Sequence, residues 1–364
     1  MHFHHLHFYV RDVAFWRDWF IHKLAFQPDF GSSTNAQQPL VIKQGAIEIW
    51  LSDAVDVPKP AVSHYLHSHP PGVADIGFAT DQFDRLLNRL HRYGVKPISG
   101  VTHTANGQRQ CQVQGWADLR HTLVEVSSQW ATARQMIEPP AYEEPHLRQK
   151  TAQTSWLDTI DHVVINVPQG ELATASAWYQ QVFGLEIGQR FDIHTARSGL
   201  RSQVLIHPEG TLQLPINEPT SANSQIQEFL AHNRGAGVQH VALHSQDAVS
   251  AIAHFRQQGL TLIHVPSTYY EGLQLRPDCP LADTSAASRQ QLLIDWAEGG
   301  QQGSLLQTFT QPIFTEPTFF FEIIERSTYP EQGQLKRAKG FGEGNFQALF
   351  EAIERAQVER GSLS

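Results

Sequence analysis

Two halves of this chain carry the same sequence pattern, and this repeat limits the possible folds more than any other feature. The matching segments are residues 3–10 (FHHLHFYV) with 160–167 (IDHVVINV), and residues 73–78 (VADIGF) with 238–243 (VQHVAL). Asp75 and His240 are 165 positions apart, and so are Gly94 and Gly259, which each follow a helical stretch. A register kept over this length indicates two copies of one module.

Each copy predicts the same order of elements. Alternating apolar and polar residues predict strands, and apolar residues three or four apart predict helices. Helices are expected at residues 12–24, 81–93, 171–183 and 247–258, with Asp12 as the N-cap of the first. Each copy therefore contains the order βαβββ twice. Because one such unit cannot enclose a core alone, we expect paired units to curl into a cupped sheet in an α+β fold.

We expect the chain to divide into four parts. These are a first module at residues 1–130, a linker at 131–157, a second module at 158–330 and a tail at 331–364. The linker contains a Pro-Pro pair and a further proline, and it lacks a hydrophobic period. In the tail, apolar residues at helical spacing predict a C-terminal helix over residues 345–359.

Composition excludes several classes of protein. With 364 residues and 41% hydrophobic residues, the chain can build two ordinary cores. Its formal charge of −9, without a basic stripe, argues against binding to nucleic acid or to an anionic membrane. No apolar run approaches the roughly 20 residues that span a bilayer, and we expect no secretory signal. The two cysteines, Cys111 and Cys279, offer no disulfide framework, so we expect a cytoplasmic protein.

The second copy offers three metal ligands on separate strands: His162, His240 and Glu322. Two imidazoles and one carboxylate, with other coordination positions open, are what a non-haem Fe(II) oxygenase requires. Glu322 lies among three Phe and two Ile, where a carboxylate is costly to bury unless it is paired or bound to metal. The alternative is an ion pair between Glu322 and a nearby arginine such as Arg326.

The first copy contains only an incomplete version of this set. His5, Asp75 and Glu125 are expected to align with the three ligands, with Asp75 in place of the second histidine. We interpret them as a vestigial site, and the alternative is a second site for a harder metal. Whether they bind any metal is left open by the sequence.

Longer motifs in the second copy resemble one known family, the 4-hydroxyphenylpyruvate dioxygenases, almost continuously from residue 158 to 361. The segments that carry the resemblance are residues 198–202, 214–219, 224–230, 235–240, 305–310, 319–326 and 340–346. The first copy matches that family mainly in layout. The resemblance implies a vicinal-oxygen-chelate (glyoxalase/bleomycin-resistance-like) fold of two modules of paired βαβββ units, followed by a C-terminal gate helix.

The resemblance also implies an activity and residue roles. The enzyme would convert 4-hydroxyphenylpyruvate and O₂ into homogentisate and CO₂, with one Fe(II) per chain. His162, His240 and Glu322 would hold the iron, with Gln239 and Gln307 beside it. The remaining pocket residues would be Ser202, Pro215, Asn217 and Gln225 at the polar end, Phe309 and Phe346 on the two faces of the substrate ring, and Phe320, Phe341 and Asn345 at the entrance. A homodimer or homotetramer would be ordinary for the family.

Three other functions remain possible on the sequence alone. A 4-hydroxymandelate synthase would use the same fold, iron and substrate but oxidise the benzylic carbon, and Pro215 with Asn217 favours the ring-hydroxylating enzyme. A non-catalytic binding protein of the same fold would not need the complete triad. A dioxygenase that cleaves catechol rings would not need the tail from residue 340 to 361. The glycine-rich residues 340–344 resemble a phosphate loop, but no lysine is placed to reach a phosphate, so we interpret them as a hinge.

Overall fold

The computed structural model describes residues 1–29, 37–55, 58–104, 107–127, 155–195, 198–208, 212–273, 276–280, 284–296, 303–331 and 334–361. Within these ranges the chain forms two eight-stranded sheets, one from each half of the sequence repeat, and a two-stranded hairpin. The expected linker at 131–157 lies almost wholly outside the described residues. In the part that is described, no helix combines the length and the apolar character needed to cross a membrane.

The first sheet has the spatial order β2-β3-β4-β1-β5-β8-β7-β6. Its strands are β1 (His2–Tyr9), β2 (Gln27–Pro28), β3 (Leu40–Gln44), β4 (Ile47–Ser52), β5 (Gly72–Thr80), β6 (Thr102–His103), β7 (Arg109–Gln114) and β8 (Arg120–Glu125). The two central strands, β1 and β5, are antiparallel, and each is parallel to the last strand of its own unit. The sheet is therefore two βαβββ units joined along their first strands.

The second sheet repeats this arrangement in the order β10-β11-β12-β9-β13-β16-β15-β14. Its strands are β9 (Thr159–Asn166), β10 (Glu186–His194), β11 (Gly199–Ile206), β12 (Gln213–Pro219), β13 (Gly237–His244), β14 (Leu293–Trp296), β15 (Ser304–Phe309) and β16 (Phe320–Arg326). The expected α+β fold of paired βαβββ units is confirmed. The tail adds the hairpin of β17 (Thr328–Glu331) and β18 (Gln334–Arg337).

Helices connect the strands of both sheets. They are α1 (Val13–Leu24), α2 (Pro60–Ser68), α3 (Phe83–Arg92), α4 (Leu172–Phe183), α5 (Gln225–Asn233), α6 (Ala248–Gln257), α7 (Ser267–Leu273), α8 (Ser285–Arg289) and α9 (Phe346–Arg360). Asp12 is the expected N-cap of α1, since its carboxylate accepts a hydrogen bond from the backbone N–H of Phe15. The sequence patterns missed the edge strands β2, β6 and β10, the hairpin of β17 and β18, and the helices α2, α5, α7 and α8.

The two halves share one apolar core. Phe8 of the first half packs edge-on against Phe319 of the second, with ring centroids 5.2 Å apart, and Phe78 contacts Phe183 at the same distance. Basic side chains of one half also reach helix C-termini of the other. Lys23 donates to the carbonyl of Gln258 beyond α6, and Arg89 of α3 donates to the carbonyl of Gln180 near the end of α4. Cations are favourable at helix C-termini, so these contacts join the halves electrostatically as well.

Candidate metal centre

Strand register brings the three expected metal ligands together. His162 of β9 and Glu322 of β16 both lie opposite Ala242 of β13. Positions 162, 242 and 322 therefore form a row across three neighbouring strands. His240 lies two residues before Ala242, and residues two apart project from the same face of a strand. The Nε2 of His162 lies 3.2 Å from a carboxylate oxygen of Glu322, and the Nε2 of His240 lies 3.7 Å from the same oxygen. Ligand atoms from all three residues lie within 4.8 Å of one another.

The neighbours of the two histidines turn both Nε2 atoms toward this point. Asp161 accepts a hydrogen bond of 2.8 Å from Nδ1 of His162, and the side-chain oxygen of Gln239 lies 3.3 Å from Nδ1 of His240. Metal-binding histidines commonly donate their second N–H in this way, which fixes the tautomer that leaves the other nitrogen free to bind. Asp161 was not singled out in the sequence, although a carboxylate next to a candidate ligand is a usable signal.

Arg326 stabilises Asp161 rather than Glu322. Its guanidinium donates to both oxygens of Asp161 over 2.7 Å and also donates to the backbone carbonyls of Ala338 and Gly340. Such a two-point pair holds a carboxylate firmly in orientation. The alternative in which Arg326 neutralises Glu322 is therefore wrong. Glu322 faces the two histidines instead.

Electrostatics shift the pKa values of the two histidines in opposite directions. Burial lowers the pKa of His162, but the carboxylates of Glu322 and Asp161 outweigh burial and raise that pKa to about 9. Burial and the neighbouring His162 hold the pKa of His240 well below its usual value. Two imidazoles and a buried carboxylate converge, and neutral imidazole with carboxylate is a donor set for divalent first-row metals. The residues therefore fit a divalent metal ion.

The three ligands form part of the wall of a cavity of about 660 Å³, counting its open mouth. Nine of the other expected site residues also line it: Ser202, Pro215, Asn217, Gln225, Gln239, Gln307, Phe309, Phe320 and Phe341. Ser202 and Asn217 are direct partners across β11 and β12, on one side of β9, whereas Gln307 and Phe309 come from β15 on the other side. The hydroxyl of Ser202 and the amide of Asn217 therefore line the cavity on the β11–β12 side of the sheet, and the ring of Phe309 lines it on the β15 side.

Two expected pocket residues are not placed on this wall. Asn345 is buried behind Gln307, where it contacts Gln307 and Tyr269 instead of lining the cavity. The side chain of Phe346 lies outside the described part of the structure. Aromatic residues that the sequence reasoning missed do line the cavity, namely Phe191 from β10 and Phe350 from α9. Phe191 lies on β10, which the sequence pattern did not predict. Phe350 lies on the predicted C-terminal helix, and only the fold shows that its side chain reaches the cavity.

The glycine-rich residues 340–344 pack against the site. Gly340 and Gly342 have φ values of +94° and +75°, which side chains rarely tolerate. A Cβ added to Gly342 would lie 1.8 Å from the side-chain oxygen of Gln307. Glycine is therefore required at 342 for close approach to Gln307. The hinge role expected for this segment stays a prediction.

The first module does not repeat the metal centre. In its register Gly77 lies opposite both His5 and Thr122, so Thr122, not Glu125, corresponds to Glu322. The alignment of Glu125 with a metal ligand is therefore wrong. Glu125 instead forms an ion pair with Arg109. The side chains at the other two expected positions, His5 and Asp75, both contact other protein groups.

The side chains of His5 and Asp75 face the interior of the first sheet. His5 stacks on Trp50 with ring centroids 3.5 Å apart. Asp75 accepts hydrogen bonds from Gln112 and from the backbone and hydroxyl of Thr122. Among the described residues, the group formed by His162, His240 and Glu322 is the one cluster with metal-binding geometry. The vestigial interpretation of the first site stays a prediction.

The fold and the ligand set define a class that comparison with known proteins also identifies. The model of the Glyoxalase/Bleomycin resistance protein/Dioxygenase superfamily matches residues 2–126 and 159–275, which cover both halves of the repeat. Among solved structures, a mutant of 4-hydroxymandelate synthase from Streptomyces coelicolor matches with a TM-score of 0.77 and 24% identity over 98% of both chains. At that identity the likeness shows the fold alone.

Curated relatives narrow this class. The 4-hydroxyphenylpyruvate dioxygenase of Danio rerio is 31% identical over 383 residues, covering 100% of this chain and 92% of the relative. The enzyme of the same name from Caenorhabditis elegans is 30% identical and covers 99% of this chain and 93% of its own. An uncharacterised protein of Synechocystis is 32% identical over 99% of both chains. The chain belongs to the 4-hydroxyphenylpyruvate dioxygenase family.

Proposed function

We propose that this protein is a 4-hydroxyphenylpyruvate dioxygenase that uses one Fe(II) per chain and releases homogentisate and CO₂. One observation carries the proposal. The buried triad of two histidines and Glu322 opens onto a cavity that has an aromatic wall and a separate polar group. A 2-oxo acid with a phenol ring has the same division into a metal-binding end, a flat apolar middle and a polar end.

His162, His240 and Glu322 would hold the iron, and the remaining coordination positions would be open to a 2-oxo acid and O₂. The bound iron would supply the activation of O₂. Gln307 donates a hydrogen bond of 2.9 Å to Glu322 and thereby fixes the orientation of that carboxylate. Both atoms of O₂ end in homogentisate, since one enters the carboxylate formed from the keto carbon and the other enters the ring as a hydroxyl, while CO₂ leaves with the oxygens of the original carboxylate. No external reductant is therefore required.

The other residues would bind and orient the substrate. Ser202, Asn217 and Gln225 offer a hydroxyl and two amides, which together can donate to and accept from a phenol hydroxyl. Phe309 and Phe341 supply aromatic surface that can hold the ring in one orientation. Phe350 and other apolar residues of α9 cover the cavity, and this cover would exclude water during the reaction.

Product analysis tests the proposal. The Fe(II)-loaded protein is given 4-hydroxyphenylpyruvate, oxygen uptake is recorded, and the product is identified by chromatography. We expect homogentisate from the parent and from His264→Ala, an exposed histidine outside the site, and no turnover from His240→Ala. Formation of 4-hydroxymandelate would assign the chain to the sister activity. Iron binding without oxygen uptake would instead support a non-catalytic binding protein.

The cytoplasmic location and the homo-oligomeric state expected from the sequence belong to this proposal. The oligomeric state follows from the resemblance to the family, and the cytoplasmic location follows from the low cysteine content. Light scattering of the purified protein would measure the oligomeric state, with a mass of 41.0 kDa for one chain as the reference. A monomer at working concentration would contradict this part of the proposal and leave the catalytic part unchanged.

A further inference from the structure

A buried chain of hydrogen bonds leads from the metal carboxylate to a helix outside the cavity wall. Gln307 on β15 donates to Glu322 over 2.9 Å. Asn345, the residue before α9, donates to the side-chain oxygen of Gln307 over 3.0 Å. The hydroxyl of Tyr269 on α7 donates to the side-chain oxygen of Asn345 over 2.7 Å. Four side chains from four separate elements are thus connected in series.

The orientation of both amides in this chain is fixed. The Nε2 of Gln307 faces two groups that can only accept, the carboxylate of Glu322 and the backbone carbonyl of Phe341. The side-chain oxygen of Gln307 must therefore face Asn345, which has to present its amide N–H₂. Asn345 then turns its own oxygen toward the hydroxyl of Tyr269, which lies 2.7 Å from that oxygen and 3.0 Å from the backbone carbonyl of Ile294. No amide in the chain can flip without losing a bond.

Tyr269 is well placed to hold the start of α9. Its hydroxyl oxygen also accepts a hydrogen bond of 2.8 Å from the backbone N–H of Ile294 in β14. The next residue of β14, Asp295, accepts from the backbone N–H of Gly344 over 3.0 Å. The segment that leads into α9 is therefore anchored on β14 and α7 at one side and on Gln307 at the other. Phe350 and Ile353 of α9 complete the cavity wall.

We propose that Tyr269 is a positioning residue that couples the seating of α9 over the cavity to the orientation of the metal ligand Glu322. When α9 moves away, Asn345 moves with it, and Gln307 loses the donor that fixes its amide. Glu322 then loses a fixed partner. Coupling between two sites is reciprocal, so a metal ion bound at Glu322 stabilises the seated position of α9 by the same factor. This inference rests on the metal centre of the proposed function but not on its substrate or product.

The neighbouring Tyr270 provides a matched control. Tyr270 is buried and Tyr269 is half-buried, and the hydroxyl of Tyr270 likewise donates to a backbone carbonyl, that of Leu292 over 3.0 Å. Its hydroxyl makes no contact with Asn345 in the described structure. Tyr269→Phe and Tyr270→Phe therefore each remove one buried hydroxyl from the same helix, and only the first breaks the chain to Glu322.

The test is amide hydrogen exchange of α9 in the full-length protein, with and without Co(II) as the metal probe. We expect Co(II) to slow exchange in α9 of the parent and of Tyr270→Phe by about fivefold or more. In Tyr269→Phe this metal-dependent protection should largely disappear, and the affinity for Co(II) should fall by a similar factor. Asn345→Ser, which breaks the chain one bond further on, should give the same loss. Circular dichroism of each variant confirms folding.

Three results would overturn the proposal: equal behaviour of the two tyrosine variants, protection that persists in Tyr269→Phe, or no effect of bound Co(II) on α9 of the parent. A general loss of packing would raise exchange equally with and without Co(II), so it would not imitate the expected result. If Co(II) protects α9 but the product assay yields no homogentisate, the proposed function fails and the coupling stands. If Co(II) does not bind, the metal centre and the coupling both fail.

Discussion

Gly342 shows how closely single residues around the metal centre are fitted. It lies against the amide of Gln307, and a Cβ at this position would approach that side chain to 1.8 Å. Its φ of +75° is a second reason for glycine, since L-residues with side chains lose about 1–2 kcal/mol in this region. Because Gln307 positions Glu322, a change at Gly342 reaches the metal ligand through one intervening side chain.

Gly342→Ala should therefore impair the metal centre more than the fold. We expect turnover to fall by about 100-fold, because displacing a positioning group by about 1 Å has effects of that size. Gly361→Ala is the control, since Gly361 has a φ of +76° but no atom within 4 Å of an added Cβ. Steady-state rates and thermal melts of both variants measure the difference. Equal losses of activity in the two variants would contradict the role given to Gly342.

Asp158 illustrates a residue whose charge stabilises the fold. It accepts a hydrogen bond of 2.7 Å from Nδ1 of His244. Burial alone would raise the pKa of Asp158, but the hydrogen bond and charge of His244 hold it below its usual value. A carboxyl group with a lowered pKa in the folded state adds stability above its unfolded pKa of roughly 4. That stability is lost as the pH falls through the folded pKa.

Asp158→Asn should lower the free energy of unfolding by about 1.5–3 kcal/mol at pH 7. The difference from the parent should begin to shrink below about pH 4, where the carboxylate of the unfolded chain becomes protonated, and should fall further as the pH passes the folded pKa. Urea unfolding at pH 7 and pH 3.5 measures both values. Asp192→Asn is the control, because Asp192 pairs with His194 at the surface, where such pairs contribute about 0–1 kcal/mol. An Asp158 effect that stays constant across this pH range would be inconsistent with the argument.

At the scale of elements, the position of α9 decides whether the cavity is covered. Besides the contacts at its start, α9 is held near its middle by Glu354, a buried residue. The carboxylate of Glu354 accepts hydrogen bonds of 2.6 Å from the hydroxyls of Thr195 and Ser198, in the turn between β10 and β11. Hydrogen bonds to charged groups contribute about 1.5–3 kcal/mol, so this contact is a substantial part of what seats α9.

Glu354→Ala should release α9 without unfolding the strands that carry the metal ligands. We expect amide exchange in α9 to rise by at least roughly tenfold, because local opening becomes easier by one charged hydrogen-bond network. Glu351→Ala, an exposed glutamate on the same helix, is the control. Exchange of β13 and β16, which carry His240 and Glu322, should stay unchanged. A rise spread evenly over the whole chain would show that Glu354 supports global stability instead.

The elements also show what could be predicted from the sequence and what could not. The triad was found because each ligand lies on a strongly apolar strand, and strand register then determines proximity. The edge strand β10 was missed because Gln189 interrupts the apolar face that Ile187, Phe191 and Ile193 form. Glu125 was misaligned because the offset between the two copies is not constant. It is 165 positions at Asp75 and His240 but 200 positions at the matching strands β8 and β16. Asn345 could be placed near the site but not behind Gln307, since side-chain direction depends on the packed loop.

For the whole molecule, the shared core makes the two modules one structural unit. Phe8 and Phe20 of the first half pack against Phe319 and Phe321 of the second, all within one apolar cluster. In the first sheet, Asp75 accepts hydrogen bonds from Gln112 and Thr122, and His5 stacks on Trp50. We infer that the first module contributes mainly by covering the apolar surface of the second.

The two modules should therefore unfold together. Differential scanning calorimetry should show one transition, with equal calorimetric and van't Hoff enthalpies. Phe8→Ala, which removes a ring from the boundary between the modules, should lower stability by about 3–5 kcal/mol and shift that transition as a whole. Two separate transitions in the parent, or a variant in which only one of two transitions moves, would show that the modules are independent.

We propose that this duplicated fold holds a single working metal centre, in its second half. The most direct test is the number of iron ions bound per chain, measured by anaerobic Fe(II) titration of the parent, His240→Ala and Asp75→Ala. We predict one Fe(II) in the parent, none bound tightly in His240→Ala, and one in a folded Asp75→Ala. Two Fe(II) in the parent, or one that persists in His240→Ala and is lost in Asp75→Ala, would contradict the account.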